Sequence, residues 1–477
     1  MSEHATPRFA RKMNLHDWLT YLESLHPKTI ALGLERVAQV KQRLDLQPDF
    51  PVIVVGGTNG KGSVCAMLES MLHAAGYRVG CYTSPHLLHY NERVRIAKQQ
   101  AGDAELCASF EMIEQARKPQ NLDSGSLTPS PTLMEQLAIR LGGQTSPTKS
   151  LVIPRGEGGQ SSEILLTYFE FGTLAAMQCF IAHKVDVAIL EVGLGGRLDA
   201  VNVFENDCAV IASVDIDHTD YLGDTREAIA YEKAGIMRSG RIAICADADV
   251  PQAIHSHAME IGAELWCISN EFGFTRHQGQ WDYFSKIGSR NALPYPALRG
   301  AYQLHNASAA LAALDALKDR LPVSMGAVRR GLAEVNLAGR FQFVPGKPAL
   351  ILDVAHNPHA ARSLAENLAG LPPCPHTWAV FSMLKDKDMA GVVAALDPHI
   401  DTWLVAGIDT PRGATSAELE LVLQQSMVRG EIKPCKNIAD ALRFACEAAG
   451  ENDRIIAFGS FHTVAEVMAA KGLSVVG

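Results

Sequence analysis

The string Gly57-Thr58-Asn59-Gly60-Lys61-Gly62-Ser63 stands between a β-branched run, VIVV (52–55), and a stretch whose apolar residues recur at helical spacing. A loop in that setting presents backbone N–H groups and a positive helix end to phosphate oxygens. Lys61 can then reach the terminal phosphates, and a hydroxyl is at hand for Mg²⁺. ATP binding is the direct expectation. The strict G-x-x-x-x-G-K-[ST] spacing is not met, because Val55 takes the first glycine position and Gly62 separates Lys61 from Ser63. A glycine turn that merely joins strand to helix therefore stays open as the plainer reading.

Other polar residues stand at comparable places. Short apolar runs at RVGCY (78–82), VDVAIL (185–190) and CAVIAS (208–213) precede Ser84, Glu191 and His218, and ALIL (349–352) and RIIAF (454–458) precede Asp353 and Ser460. In open α/β sheets, ligands bind beyond the carboxyl ends of the strands. All of these residues are thus expected on two sheet edges that face a common cleft. Taken singly, Glu191 could equally cap a turn and His218 could be a satisfied core histidine. The H-x-x-H pairs His86/His89 and His356/His359 lack cysteines or an obvious third ligand, and a structural role suits them better than zinc.

The elements that carry these residues are read as follows. Continuous apolar strands alternating with helices indicate parallel sheets covered on both faces. After the first strand, Val64, Met67, Leu68, Met71, Leu72 and Ala75 mark a helix that Gly76 ends. A second α/β series (ALIL, TWAVF 377–381, TWLVA 402–406, RIIAF) follows a helical stretch at about 301–334. The boundary is placed near 336–345, giving an ATP-binding domain over 1–338 and a smaller Rossmann-like α/β domain over 339–477. Residues 118–162, rich in Ser, Thr, Pro, Gly and Gln, read as a mobile insertion with one short helical stretch.

Composition limits the partners. The 477 residues are 47% hydrophobic and 20% charged, enough to bury sizeable cores. With 43 basic against 52 acidic residues the net charge is −9, and no basic run is dense enough for a nucleic acid. No apolar run reaches the ~18–20 residues a bilayer span needs. The charged start is unlike a secretory signal, and ten scattered cysteines without a C-x-x-C pair suit reduced thiols. A cytoplasmic protein with no membrane partner is expected.

Together with GTNGKGS, the strings TSPHLLHYNERVRI (83–96), LEVGLGGRLDAVN (190–202), DHTDYLG (217–223), EKAGI (232–236), GRFQ (339–342), DVAHNPHA (353–360) and GSFHTV (459–464) resemble the folylpolyglutamate synthase/dihydrofolate synthase family of ATP-dependent Mur-type ligases. The resemblance runs from about residue 14 to about 470. It implies a P-loop Mur-ligase-type domain with a mostly parallel sheet, joined to the smaller α/β domain. It also implies that Ser84, Glu191 and His218 hold Mg²⁺, two ions with Glu191 between them. Gly57–Ser63 (Gly57, Thr58, Asn59, Gly60, Lys61, Gly62, Ser63) with Asn306, Arg340 and Asp353 would bind ATP, and His356 and Ser460 the incoming L-glutamate. Lys233 matches a lysine that is carbamylated in family members. Thr167, Phe169, Asp199 and Ala200 match the pterin side. Lys61, His356 and Lys233 would be the catalytic set.

Without the resemblance, Lys233 reads as a solvated helix lysine, Arg340 as a solvated linker residue and Phe169 as core. Val354 and Ala338 stand where the family often has glycine and proline. The implied chemistry is amide formation through an acyl phosphate. The acceptors would be dihydropteroate and reduced folates, and the enzyme a monomer. A synthase with only the folate activity is the alternative. A non-ligating nucleotide switch is weaker, since His183-Lys184-Val185-Asp186 lacks the asparagine of an N-K-x-D string. A cell-wall Mur ligase would not need the pterin-side strings.

Overall fold

A computed structural model describes residues 13–28, 30–119 and 163–475. The insertion expected at 118–162 therefore lies, beyond Lys118 and Pro119, outside the described residues. Its flanks meet: the Ile164 N–H donates to the Arg117 carbonyl at 2.9 Å.

The N-terminal sheet has eight strands: β1 (Val52–Gly56), β2 (Val79–Tyr82), β3 (Val94–Ile96), β4 (Gln99–Gln100), β5 (Val187–Glu191), β6 (Cys208–Ile211), β7 (Ile242–Cys245) and β8 (Glu264–Cys267). Their order is β4-β3-β2-β5-β1-β6-β7-β8. From β2 to β8 every pairing is parallel, while β3 and β4 add an antiparallel edge. Helices cover both faces. Val52 and Val54 point into one core and Ile53 and Val55 into the other, so β1 has no polar alternation for the sequence to display. Each such side chain contributes about 1.5–3 kcal/mol when fully buried.

The helix after the phosphate loop, Lys61–Ala74, is buried from Ser63 to Leu72 and ends at Gly76, whose φ is +97°. It packs under the helices Gln303–Ala316 and Met325–Glu334, which split the single helical stretch read at 301–334. Between β8 and these helices lies a three-stranded antiparallel sheet, β9 (Phe272–Arg276), β10 (Trp281–Ser285) and β11 (Gly288–Leu293), which the sequence reading did not anticipate.

The C-terminal sheet comprises β12 (Gln342–Val344), β13 (Ala349–Leu352), β14 (Thr377–Phe381), β15 (Thr402–Val405), β16 (Glu431–Pro434) and β17 (Arg454–Phe458), in the order β12-β13-β17-β14-β15-β16. Only β12 is antiparallel to its neighbour. All ten cysteines are free thiols, seven of them buried. No helix among the described residues is long and apolar enough to cross a membrane.

Candidate active site

The carboxyl ends of both sheets open on one cleft of about 1060 Å³. Gly57–Ser63, Ser84, Phe169, Glu191, His218, Lys233, Asn306, Arg340, Asp353, His356 and Ser460 all line it. Thr167, Asp199 and Ala200 do not. They are buried behind the wall, where Thr167 caps the helix Tyr168–Ala182 by accepting the Glu170 N–H at 3.2 Å. Asp199 accepts N–H groups from Leu194 (2.8 Å) and Val201 (3.1 Å), fixing the glycine turn after β5. These three shape this wall of the cleft through the backbone, while Phe169 faces the cleft and closes over Gly193. The T-x-x-E capping box at Thr167–Glu170 was a sequence signal for that role.

The phosphate loop is stapled to the chain leaving β6. The Thr58 N–H donates to the Ser213 carbonyl (2.8 Å), the Asn59 N–H to Ser213 Oγ (3.0 Å), and Thr58 Oγ1 to the Asp215 carbonyl (2.9 Å). Gly60 has φ +85°, and a Cβ there would stand 2.6 Å from Asn306 Oδ1. Glycine is required on both counts. The contact also places Asn306 directly on the loop. Lys61 Nζ folds back to donate to the carbonyls of Gly57 (2.9 Å) and Thr58 (3.1 Å). Ahead of it, Arg340 and Glu191 flank Gly62, where a Cβ would lie 3.7 Å from Arg340 Nη2 and 3.8 Å from Glu191 Oε1.

Burial raises the Glu191 carboxyl, and Lys61, the Ser84 N–H (3.1 Å) and Arg340 oppose the rise. The buried Lys233 amine is pushed down to about 7, first by burial and then by the nearby Lys61 charge. His356 Nδ1 donates to the Val354 carbonyl at 2.8 Å, and burial, assisted by Lys387, pushes its imidazole down to about 4. At neutral pH it is uncharged, and Nε2, 3.8 Å from Asp217 Oδ2, is the ring's acceptor atom at the cleft wall.

Ser460 caps the helix Phe461–Ala470, its Oγ accepting the Thr463 N–H at 3.0 Å. Asp353 grips the interdomain linker. It accepts N–H groups from Phe341 and Ala355, each at 2.8 Å, and Phe341 is held at φ +45°. Gly339 is tied to the same sheet by bonds to Gln342 Oε1 and the Val354 N–H, both 2.9 Å.

One group went unread in the sequence. Asp217, on the N-terminal side, accepts from Lys387 Nζ (2.6 Å) and Asn357 Nδ2 (2.9 Å) of the C-terminal side. Asn59 of the phosphate loop bonds Asn357 (3.2 Å) and His359 Nδ1 (2.9 Å). Lys387 also lies 3.2 Å from His218 Nε2. These contacts close the cleft, and Lys387 holds the Asp217 carboxyl far below the usual range despite its burial.

Among the described residues, no three His, Cys, Asp or Glu side chains gather as a ready-made metal cage. Mg²⁺ takes phosphate oxygens and waters and needs few protein oxygens. Ser84 and Glu191 present oxygens to the same cleft, and the His218 imidazole, whose Nε2 lies 3.2 Å from Lys387 Nζ, adds a nitrogen.

This arrangement of a phosphate loop facing a second α/β edge is that of a Mur-type ligase: the chain matches the Mur ligase middle domain over residues 165–314 and the Mur ligase glutamate ligase domain over 339–461. It is 42% identical over 455 residues to the dihydrofolate synthase/folylpolyglutamate synthase of Escherichia coli K12, covering 95% of this chain and 94% of the relative. The Haemophilus influenzae enzyme of the same name is 39% identical, over 95% and 97%.

Among solved structures, E. coli FolC in complex with DHPP and ADP superposes with a TM-score of 0.83 at 41% identity, covering 98% of this chain and 99% of that one. A bifunctional folylpolyglutamate synthase/dihydrofolate synthase with Mn, AMPPNP and L-glutamate bound gives 0.81 at 42%, over 97% and 98%. The chain belongs to the dihydrofolate synthase/folylpolyglutamate synthase family.

Proposed function

We propose that this enzyme uses ATP to join L-glutamate to dihydropteroate, forming dihydrofolate, and to reduced folates, forming γ-linked polyglutamates. The observation that carries this reading is the shared cleft: a phosphate loop with Lys61 on one sheet edge, and an uncharged His356 beside a helix N-terminus on the other. The domains divide at 338/339, and the enzyme is a cytoplasmic monomer whose partners are small molecules.

The acceptor carboxylate attacks the γ-phosphorus of ATP, ADP leaves, and an acyl phosphate forms. The free amine of glutamate then adds to the acyl carbon and expels phosphate, and the leaving phosphate takes up the proton lost as the amide forms. Catalysis is positioning and charge neutralisation, with no side-chain nucleophile. Lys61 and Arg340 lie where the transferring phosphoryl group needs positive charge. Ser84, Glu191 and His218 would hold Mg²⁺, which when bound neutralises phosphate charge. His356 Nε2, too weakly basic to take a proton from ammonium, orients the glutamate amine by accepting one of its N–H groups. Ser460 contributes chiefly by fixing the helix end that meets the glutamate carboxylate.

Lys233 fits carbamylation. An amine near 7 is substantially uncharged at neutral pH, so its lone pair adds to CO₂ and a proton is released, leaving a carbamate that Lys61 balances. Carbon NMR of enzyme equilibrated with labelled bicarbonate is expected to reveal a carbamate signal that Lys233→Met removes, together with most of kcat. A wild-type enzyme without that signal rejects the modification.

The test of the whole reading is product mass analysis with ATP, Mg²⁺, glutamate and each acceptor in turn. Glutamylated products and ADP release that depends on both acceptor and glutamate are expected. Turnover of folates alone would leave only the polyglutamate activity, and ATP hydrolysis indifferent to both co-substrates would reject the ligase.

A further inference from the structure

Two arginines two residues apart are treated differently by the fold. Arg95 is neutralised by a buried carboxylate, Glu69, at 2.8 Å. Arg93, which lines the cleft, has no carboxylate partner among the described residues. The neighbouring Glu92 is already committed to the N–H groups of Leu87, Leu88 and His89, at 2.7, 2.7 and 2.6 Å.

Arg93 is nevertheless held in place. Its Nε donates to His86 Nδ1 at 2.8 Å, and its guanidinium lies against the rings of Tyr90 (5.5 Å) and Tyr168 (5.4 Å). Such a clamp fixes the plane and leaves the two terminal nitrogens to meet an incoming anion. Its position is also defined. The Arg93 carbonyl accepts the Thr83 N–H at 2.9 Å, one residue before Ser84, and Tyr168 directly precedes Phe169, whose ring packs on Tyr82 at 5.7 Å. Arg93 therefore stands between the phosphate-transfer edge and the pterin-side wall.

We propose that Arg93 is a specificity-determining residue that binds the α-carboxylate of acceptors already carrying a glutamyl residue. The inference rests on the proposed function and extends it. Dihydropteroate has a single carboxylate, which must go to the γ-phosphate. A glutamylated acceptor brings two, and the α-carboxylate needs its own cation if the γ-carboxylate alone is to be phosphorylated. A planar, pre-oriented guanidinium is suited to that bidentate contact. Holding the α-carboxylate there also enforces γ-linkage in the product.

The test crosses enzyme variants with acceptor analogues. For the wild type, KM is expected to rise about tenfold to a hundredfold from tetrahydrofolate to its α-carboxamide, the loss of one charge-assisted pair. In Arg93→Gln the two KM values should converge, with Arg93→Lys between. The ratio of the tetrahydrofolate KM to the dihydropteroate KM should rise by a similar factor. A wild type indifferent to the carboxamide overturns the assignment, as does an Arg93→Gln enzyme that keeps the wild-type ratio or loses both acceptors equally. If Arg93→Gln does not fold, the wild-type comparison of acid and amide decides alone. Failure of the ligase reading is distinct: the wild type would then glutamylate no pterin acid at all.

Discussion

Lys61→Met is expected to lower kcat for ligation by about 10²–10³-fold, the usual cost of removing one pre-positioned charge from a transferring group. The ammonium is held over its own loop by the Gly57 and Thr58 carbonyls, so a triphosphate meets a cation already in place. Folding should be little affected, because those two bonds are local and the loop is held independently by Ser213 and Asp215. A second signature follows from Glu191. Burial raises that carboxyl and Lys61 is the largest influence opposing it. Removing the lysine should therefore raise it further in the metal-free enzyme, so that Mg²⁺ binding near neutral pH weakens. A coupled ADP-release assay at a series of Mg²⁺ concentrations checks both. A variant with near wild-type kcat contradicts the role.

Asp217→Ala should be the most damaging change outside the phosphate loop. Lys387 has a side chain only 6% exposed and Asp217 one 10% exposed. Removing one member strands the other charge in a site that water barely reaches, which costs about 3–5 kcal/mol. The expected outcome is a lower Tm and loss of most ligase activity. The double variant Asp217→Asn/Lys387→Met should recover much of the stability, since removing both charges leaves nothing unpaired. It should not recover the activity, because the Lys387 ammonium that bridges Asp217 and His218 across the cleft would be gone. Thermal melts of the wild type, Asp217→Asn, Lys387→Met and the double variant measure the coupling. Additive losses would mean that the pair does not act as a unit.

The pattern of what could be read from the sequence has a physical origin. Strands such as VIVV and RIIAF are buried on both faces, so they stand out as uninterrupted apolar runs bounded by glycine. Helix limits were legible where a single residue sets them, as at Gly76. The β9–β11 sheet was missed because it buries one face only. Phe272, Trp281 and Tyr283 are inside, while Phe284 and Ile287 are exposed. Of the site, the residues that are contiguous in sequence were visible and the cross-cleft group was not. Lys387 lies in KDKDM, which on its own reads as a solvated charge run. Its meaning exists only once the two edges face each other, 170 residues apart along the chain. The capping duties of Thr167 and Ser460 are different: both were encoded locally, in residues already singled out for ligand contact.

The bonds around the linker decide which way Arg340 travels. Gly339, Phe341 and Gln342 are all fastened to the end of β13 and the residues just after it, so the elbow belongs to the C-terminal half and its arginine moves with that half as a rigid arm. The pivot must then lie upstream of Gly339. Any swing of the smaller half away from its neighbour withdraws the guanidinium from above Gly62, and any swing back delivers it. On the proposed function, a single rotation would gear the seating of the amino acid on one half to the polarisation of the nucleotide on the other.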